Sequence, residues 1–260
     1  MHSDSTIIED LDPEVAEQLA SRRDVLRRSG LAAAAISAPV ALGLMARDAF
    51  AQDGGALPQE VVDVLNFALT LEYLEAAYYK TGLESDGLLS GDAEKTFTVF
   101  SEHEDAHVKF LEEALGDKAV KEPKFDFTAG GAFAPFEDLK TFMLLSQAFE
   151  DTGQRAYRGQ AGALAGNPDI LTAALTIHSV EARHAAQVRR MRGISPWVPE
   201  DQPDAPKAIA AVYAGQDVTE KYGVDVPAVS TVGPVQVTEA FDEPLTKEAV
   251  LKIVKPFLAG

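Results

Sequence analysis

One arrangement of residues occurs twice along this chain, and it constrains the fold more tightly than any other feature. Glu72 and Tyr79 recur as Glu150 and Tyr157, 78 positions later, and Glu104 and His107 recur as Glu181 and His184, 77 positions later. Each of the four glutamates interrupts a stripe of apolar residues spaced by three and four, the spacing that defines one face of a helix. The stripes run through Leu65, Leu69 and Ala76; through Phe97, Phe100, Leu111 and Leu115; through Leu139, Met143, Ser146 and Gly153; and through Ile170, Ala174, Ile177, Val188 and Met191. They predict helices over about 58–81, 91–115, 136–164 and 168–191.

The connections follow a short, long, short order. Residues 82–90 close the first helix pair, and Gly166-Asn167-Pro168 closes the second with residues that break helices. Between the pairs, residues 116–135 carry Pro123 and Gly130-Gly131 and are long enough to run the height of a bundle. Helices two and three are then expected to point the same way. The fold class is all-α: a four-helix bundle over 52–193, made of two antiparallel hairpins related by an approximate two-fold axis. Beyond it the texture changes, with Pro196, Pro199, Pro203 and Pro206 in quick succession. Residues 223–237 read as extended chain or a short hairpin, and a last amphipathic helix begins at Thr246, with Val250, Ile253, Val254 and Phe257 on its apolar side. Residues 194–260 are read as an extension packed on the bundle, without chemistry of its own because it holds no histidine.

A glutamate is almost never buried unless it is paired or bound to a metal, so four at core positions need a common explanation. Glu104 and His107, like Glu181 and His184, are three residues apart and therefore about 5–6 Å apart at their β-carbons on a helix surface. One side chain of each pair can reach a shared ion. The chain has no cysteine, which removes disulfides, thiolate metal sites and iron–sulfur clusters together. Oxygen and nitrogen ligands remain, a set that suits iron or manganese. Four glutamates neutralise two divalent ions; without metal they would crowd, and at least one would keep its proton. The acidic balance, 23 Lys and Arg against 41 Asp and Glu, argues against nucleic acid as a partner, since phosphate backbones require clustered basic residues.

Ahead of the bundle, Arg22-Arg23 and Arg27-Arg28 precede an uncharged Ala-, Val- and Leu-rich run over 29–46, and Ala49-Phe50-Ala51 provides small residues two apart. This pattern reads as a twin-arginine (Tat) export signal over 1–51, cut behind Ala51. The Tat export machinery is then a partner, and the destination is periplasmic or otherwise outside the cytoplasm. The alternative is an uncleaved anchor, for which the run is at the short limit.

At these residues the sequence resembles the ferritin-like di-metal carboxylate superfamily. The segment LNFALTLEYLEAAYY at 65–79 is similar to the first helix of bacterioferritin, with Leu-Asn seven and six residues before the ligand glutamate and a tyrosine seven after it. Taken whole, with its export signal and the tail segment around Glu239-Ala-Phe-Asp-Glu-Pro-Leu, the chain is most similar to the ferritin-like, desiccation-related protein family. The resemblance implies Glu72 and Glu150 as terminal ligands, Glu104 and Glu181 as bridging ligands, His107 and His184 as imidazole ligands, and Tyr79 and Tyr157 as hydrogen-bond partners behind them. It also implies two iron ions, with manganese the other candidate. Asp105 stands where bacterioferritin has its haem-ligating methionine, so haem is not expected. The export signal and the C-terminal extension in place of a short fifth helix make a 24-subunit cage unexpected, though not every homo-oligomer.

Three nearby residues complete the expectations. His178, three before Glu181, is read as a partner behind the ligands, an additional ligand or an ordinary core histidine. Glu75, one turn from Glu72, is placed at the surface or rim, with a position facing the interior in place of Glu72 as the alternative. His103 falls on a different face from Glu104 and His107 and is expected to be exposed. The functions that fit are a dioxygen- or peroxide-reactive oxidoreductase linked to stress protection, metal sequestration without turnover, and a structural, desiccation-protective bundle with a vestigial ligand set.

Overall fold

Four long helices carry the periodic stripes. A computed structural model describes residues 57–202, 205–206 and 209–259; the segment 1–51, read from the sequence as an export signal, lies outside the described residues. Helix α1 spans Gln59–Glu84, α2 Gly91–Leu115, α3 Leu139–Gln160 and α4 Pro168–Met191. The third begins later than its stripe suggests because Asp138 caps it, its carboxylate accepting from the Thr141 amide at 2.8 Å. It ends sooner because the chain tightens into a 3₁₀ turn over Ala161–Leu164. Pro168 opens α4, where its fixed φ suits a first turn. None of the described helices is long and apolar enough to cross a membrane.

Residue pairings fix the directions. Tyr79 reaches Glu150 while Tyr157 reaches Glu72, so α1 and α3 run antiparallel. Glu72 meets His107 while Tyr79 packs on Phe97 and Phe100, so α1 and α2 run antiparallel too. Helices α2 and α3 therefore point the same way, as the long connection requires. That connection is held to the core by Phe127, whose ring lies 5.1 Å from Tyr78. It is tied at its middle to the end of the chain: the Asp126 amide donates to the Phe257 carbonyl at 2.8 Å, and the Ala259 amide to the Lys124 carbonyl at 2.8 Å.

The core divides around the glutamates. At one end Tyr78 stacks on Phe142 at 4.8 Å, within a cluster of aromatic rings from α1, α2, α3 and the connection. At the other, Leu65, Leu69, Leu111, Leu164 and Ile177 form an aliphatic cluster. Each layer excludes water from the level between them.

The chain after the bundle packs on α3, and its local structure is more helical than the Val- and Pro-rich sequence suggests. The hairpin is confined to β1 (Glu220–Lys221) and β2 (Val224–Asp225), and the rest of the Val- and Pro-rich segment coils into α5 (Val226–Val229) and α6 (Pro234–Ala240). Proline near the first turn of each explains the difference, because a residue that breaks a helix interior is tolerated at its start. Helix α7 spans Lys247–Val254, with the Thr246 hydroxyl accepting from the Ala249 amide, and continues as a 3₁₀ turn to Phe257.

The attachment itself is polar and buried, which the absence of histidine had concealed. Arg155 on α3, almost wholly buried, donates to the carbonyls of Val212, Ala214 and Glu243. Next to it, Asp151 is held by Arg189 at 2.5 Å and by the Tyr213 hydroxyl at 2.8 Å. Gly159 permits the close approach, since a methyl group there would stand 1.9 Å from the Leu245 carbonyl oxygen. Gly159→Ala is accordingly expected to push the extension off α3 and to cost about 1–3 kcal/mol in urea unfolding; an unchanged midpoint would show that the contact carries no strain.

Candidate metal centre

The level between the two apolar clusters holds six side chains from four helices, all buried: Glu72 on α1, Glu104 and His107 on α2, Glu150 on α3, and Glu181 and His184 on α4. They separate into two groups, Glu72, Glu104, His107 and Glu181 in one and Glu104, Glu150, Glu181 and His184 in the other, with Glu104 and Glu181 common to both. Within each group the ligand atoms lie within 4.8 Å of one another. The doubled spacing in the sequence thus becomes a doubled site.

Two of the three corresponding distances repeat across the two-fold relation, and the one from each histidine to the glutamate three residues before it does not. His107 Nδ1 lies 3.1 Å from Glu72, 2.9 Å from Glu104 and 3.1 Å from Glu181. His184 Nδ1 lies 2.9 Å from Glu104, 3.3 Å from Glu150 and 4.0 Å from Glu181. A ring nitrogen carries at most one proton and can satisfy one of these oxygens well, yet each faces three. Among the described residues His184 Nδ1, Glu104 Oε1, Glu150 Oε2 and both oxygens of Glu181 are buried without a well-aligned hydrogen bond, although His184 Nδ1 and Glu104 Oε1 lie 2.9 Å apart. Each such atom costs about 1–3 kcal/mol, and a cation placed among them would satisfy the whole set. The donor chemistry, carboxylate oxygen with one imidazole per group, therefore fits two metal ions.

Two tyrosines brace the outer carboxylates reciprocally. Tyr157 donates to Glu72 and Tyr79 donates to Glu150, each reaching from the helix that does not carry the glutamate. Burial and the neighbouring carboxylates push both phenols well above their usual range, so they stay protonated as donors. Their matched spacing in the sequence corresponds to matched roles.

The electrostatics of the metal-free side chains follow from the crowding. Burial, together with Glu181 and Glu104, holds Glu150 well above the usual carboxylate range, although His184 opposes the shift. Burial opposes protonation of His184, but Glu150 and Glu104 override it and push the imidazole up to about 11. His107 is likewise raised, its burial outweighed by Glu72, Glu104 and Glu181.

Three neighbours differ in outcome. His178 does not join either group: its Nδ1 pairs with the Gln154 carbonyl at 2.8 Å, so it ties α4 to α3 rather than serving the ligands. Glu75 is a correction. It is 2 % exposed, with Oε2 lacking any partner, and burial beside Glu181, Glu150, Glu72 and Glu104 keeps it well above the usual carboxylate range. Its place in the interior is made by Gly153, where a β-carbon would stand 3.0 Å from Glu75 Oε1. The signal was present in the sequence, since Gly153 is the repeat counterpart of Glu75. His103 is exposed as expected but not isolated, because its Nδ1 lies 2.9 Å from Nε2 of His184. Burial and His184 together lower its basicity.

A helical bundle that gathers glutamate and Glu-x-x-His pairs around one buried centre defines the class of ferritin-like metal-binding proteins. Residues 60–193 match the family model of the ferritin-like domain, and the chain belongs to that family. No curated protein matches it.

Ions entering this centre must displace protons. With His184 raised to about 11 and His107 raised as well, both imidazoles are protonated at neutral pH before loading. Affinity is therefore expected to rise with pH, and loading at pH 7 to release at least one proton from each histidine. Calorimetric titration in buffers of different ionisation enthalpy measures this; a binding enthalpy independent of buffer would contradict it.

Proposed function

We propose that this chain is an exported metalloprotein whose di-iron, or di-manganese, centre reacts with dioxygen or peroxide in a role linked to stress protection. The observation that carries the reading is the sharing of Glu104 and Glu181 between the two ligand groups, which favours two ions held side by side over two independent sites. Bound there, paired redox metals would supply two electrons to an oxidant.

The chain's own residues account for the remaining requirements. Glu72 and Glu150 each close one metal position, and Tyr157 and Tyr79 hold those carboxylates in orientation by donating to their oxygens. The aromatic and aliphatic clusters above and below restrict water, so the charge of the ions is compensated by glutamate rather than by solvent. Export through the Tat machinery is supported by the paired arginines and small residues ahead of position 52, and a folded, metal-loaded protein is suited to that route.

The test is to isolate the exported protein, measure metal per chain, and follow absorbance after Fe(II) and then oxygen or peroxide are added. About two metals per chain with repeated turnover is the expected result. Hundreds of iron atoms per assembly would instead indicate storage, and a chain without stoichiometric metal a structural role. Replacing Glu104 and His107 together by Ala should abolish two-metal loading while the helical signal in circular dichroism persists; full loading of this variant would refute the ligand assignment.

A further inference from the structure

The internal repeat relates the two halves of the centre, but two positions break the relation. The first is His103, whose repeat counterpart 77 residues on is Val180. The second is Glu75, whose counterpart 78 residues on is Gly153. The first falls on the half formed by Glu150 and His184; the second faces the glutamates of both halves.

A histidine that offers Nδ1 to an ion must carry its proton on Nε2, and whatever accepts that proton fixes both the tautomer and the plane of the ring. For His184 the acceptor is Nδ1 of His103, 2.9 Å away, with the two ring planes 10° apart. Phe100 packs against the same ring, its centroid 4.0 Å distant. The hydrogen bonds of His107 among the described residues all run through Nδ1, and valine at position 180 offers no acceptor. Glu75 does not choose a half: its head lies against Gly153 and faces Glu72 as well as Glu150, so the imbalance rests on His103.

Resting on the two-metal reading above, we infer that the metal positions are unequal, and that His103 is the positioning residue that makes the one on Glu150 and His184 the tighter. A ring already held in orientation loses less freedom when the ion arrives, and once the Nδ1 proton has left, the bond from Nε2 to His103 keeps the remaining proton away from Nδ1 and makes that nitrogen a stronger donor. The ion at Glu72 and His107 has no such support, so it is the second to load and the first to leave.

The experiment is an anaerobic Mn(II) titration of the metal-stripped exported chain, with free Mn(II) read by electron paramagnetic resonance. The wild-type chain should load in two steps, and Glu150→Ala should remove the stronger one. His103→Val, which installs the residue found at the repeat position on an exposed site, should weaken the stronger step by about 10–100-fold and leave the weaker unchanged. His103→Asn, whose side-chain oxygen can accept from His184 Nε2, should restore most of the loss, which a purely structural effect of the substitution would not do. In a Glu150→Ala background His103→Val should have no effect. Two ions bound by the wild type with His103→Val silent, or weakening both steps equally, overturns the inference and leaves the two-metal reading intact. A wild-type chain that binds no Mn(II) and no Fe(II) overturns both.

Discussion

The structure depends on carboxylates brought face to face in a dry interior. Placing Glu72, Glu104, Glu150 and Glu181 at one level of a bundle is unfavourable, since each loses hydration and meets like charge. Two imidazoles at the same level supply the only cationic partners within the cluster, and several of its oxygens still have none. The four helices must therefore be held by contacts that do not involve the centre. The aromatic cluster at one end and the aliphatic cluster at the other provide them, so the site is flanked by packing that keeps the charged layer together.

The same logic explains where the extension attaches. Helix α3 carries Glu150 toward the centre and Asp151, Arg155 and Gly159 toward the chain that follows the bundle. Arg155 is buried against three carbonyls of the extension, and Asp151 is engaged by Arg189 from α4. These contacts hold α3 against α4 from outside while the carboxylates press on them from inside. The C-terminal segment contributes no ligand among the described residues, yet it bears on the geometry of the ligands by bracing the helices that carry Glu150, Glu181 and His184.

Much of this was legible in the sequence because helical periodicity and an internal repeat are one-dimensional signals. The stripes located four helices to within a few residues, and the two offsets marked Tyr79 and Tyr157 as a matched pair; that each reaches across to the other helix's glutamate is visible only in the structure. What periodicity could not supply is where neighbouring helices press on the edges of a stripe. His103 steps about 100° round α2 from Glu104, outside the apolar face, but that flank is the one α4 approaches. Glu75 is interior because a glycine on the opposite helix leaves room for it, a fit between helices that the spacing along one of them does not show. The polar joint at Arg155 was missed for a related reason: its partners are backbone carbonyls, which leave no mark on composition or spacing.

The central claim is that six side chains repeated along the sequence form one centre for two ions. Anomalous diffraction from crystals of the Fe- or Mn-loaded protein tests it most directly. Two peaks, one beside Nδ1 of His107 and one beside Nδ1 of His184, with Glu104 and Glu181 between them, are the expected result. A single peak on neither histidine, or metal only at the protein surface, would contradict it.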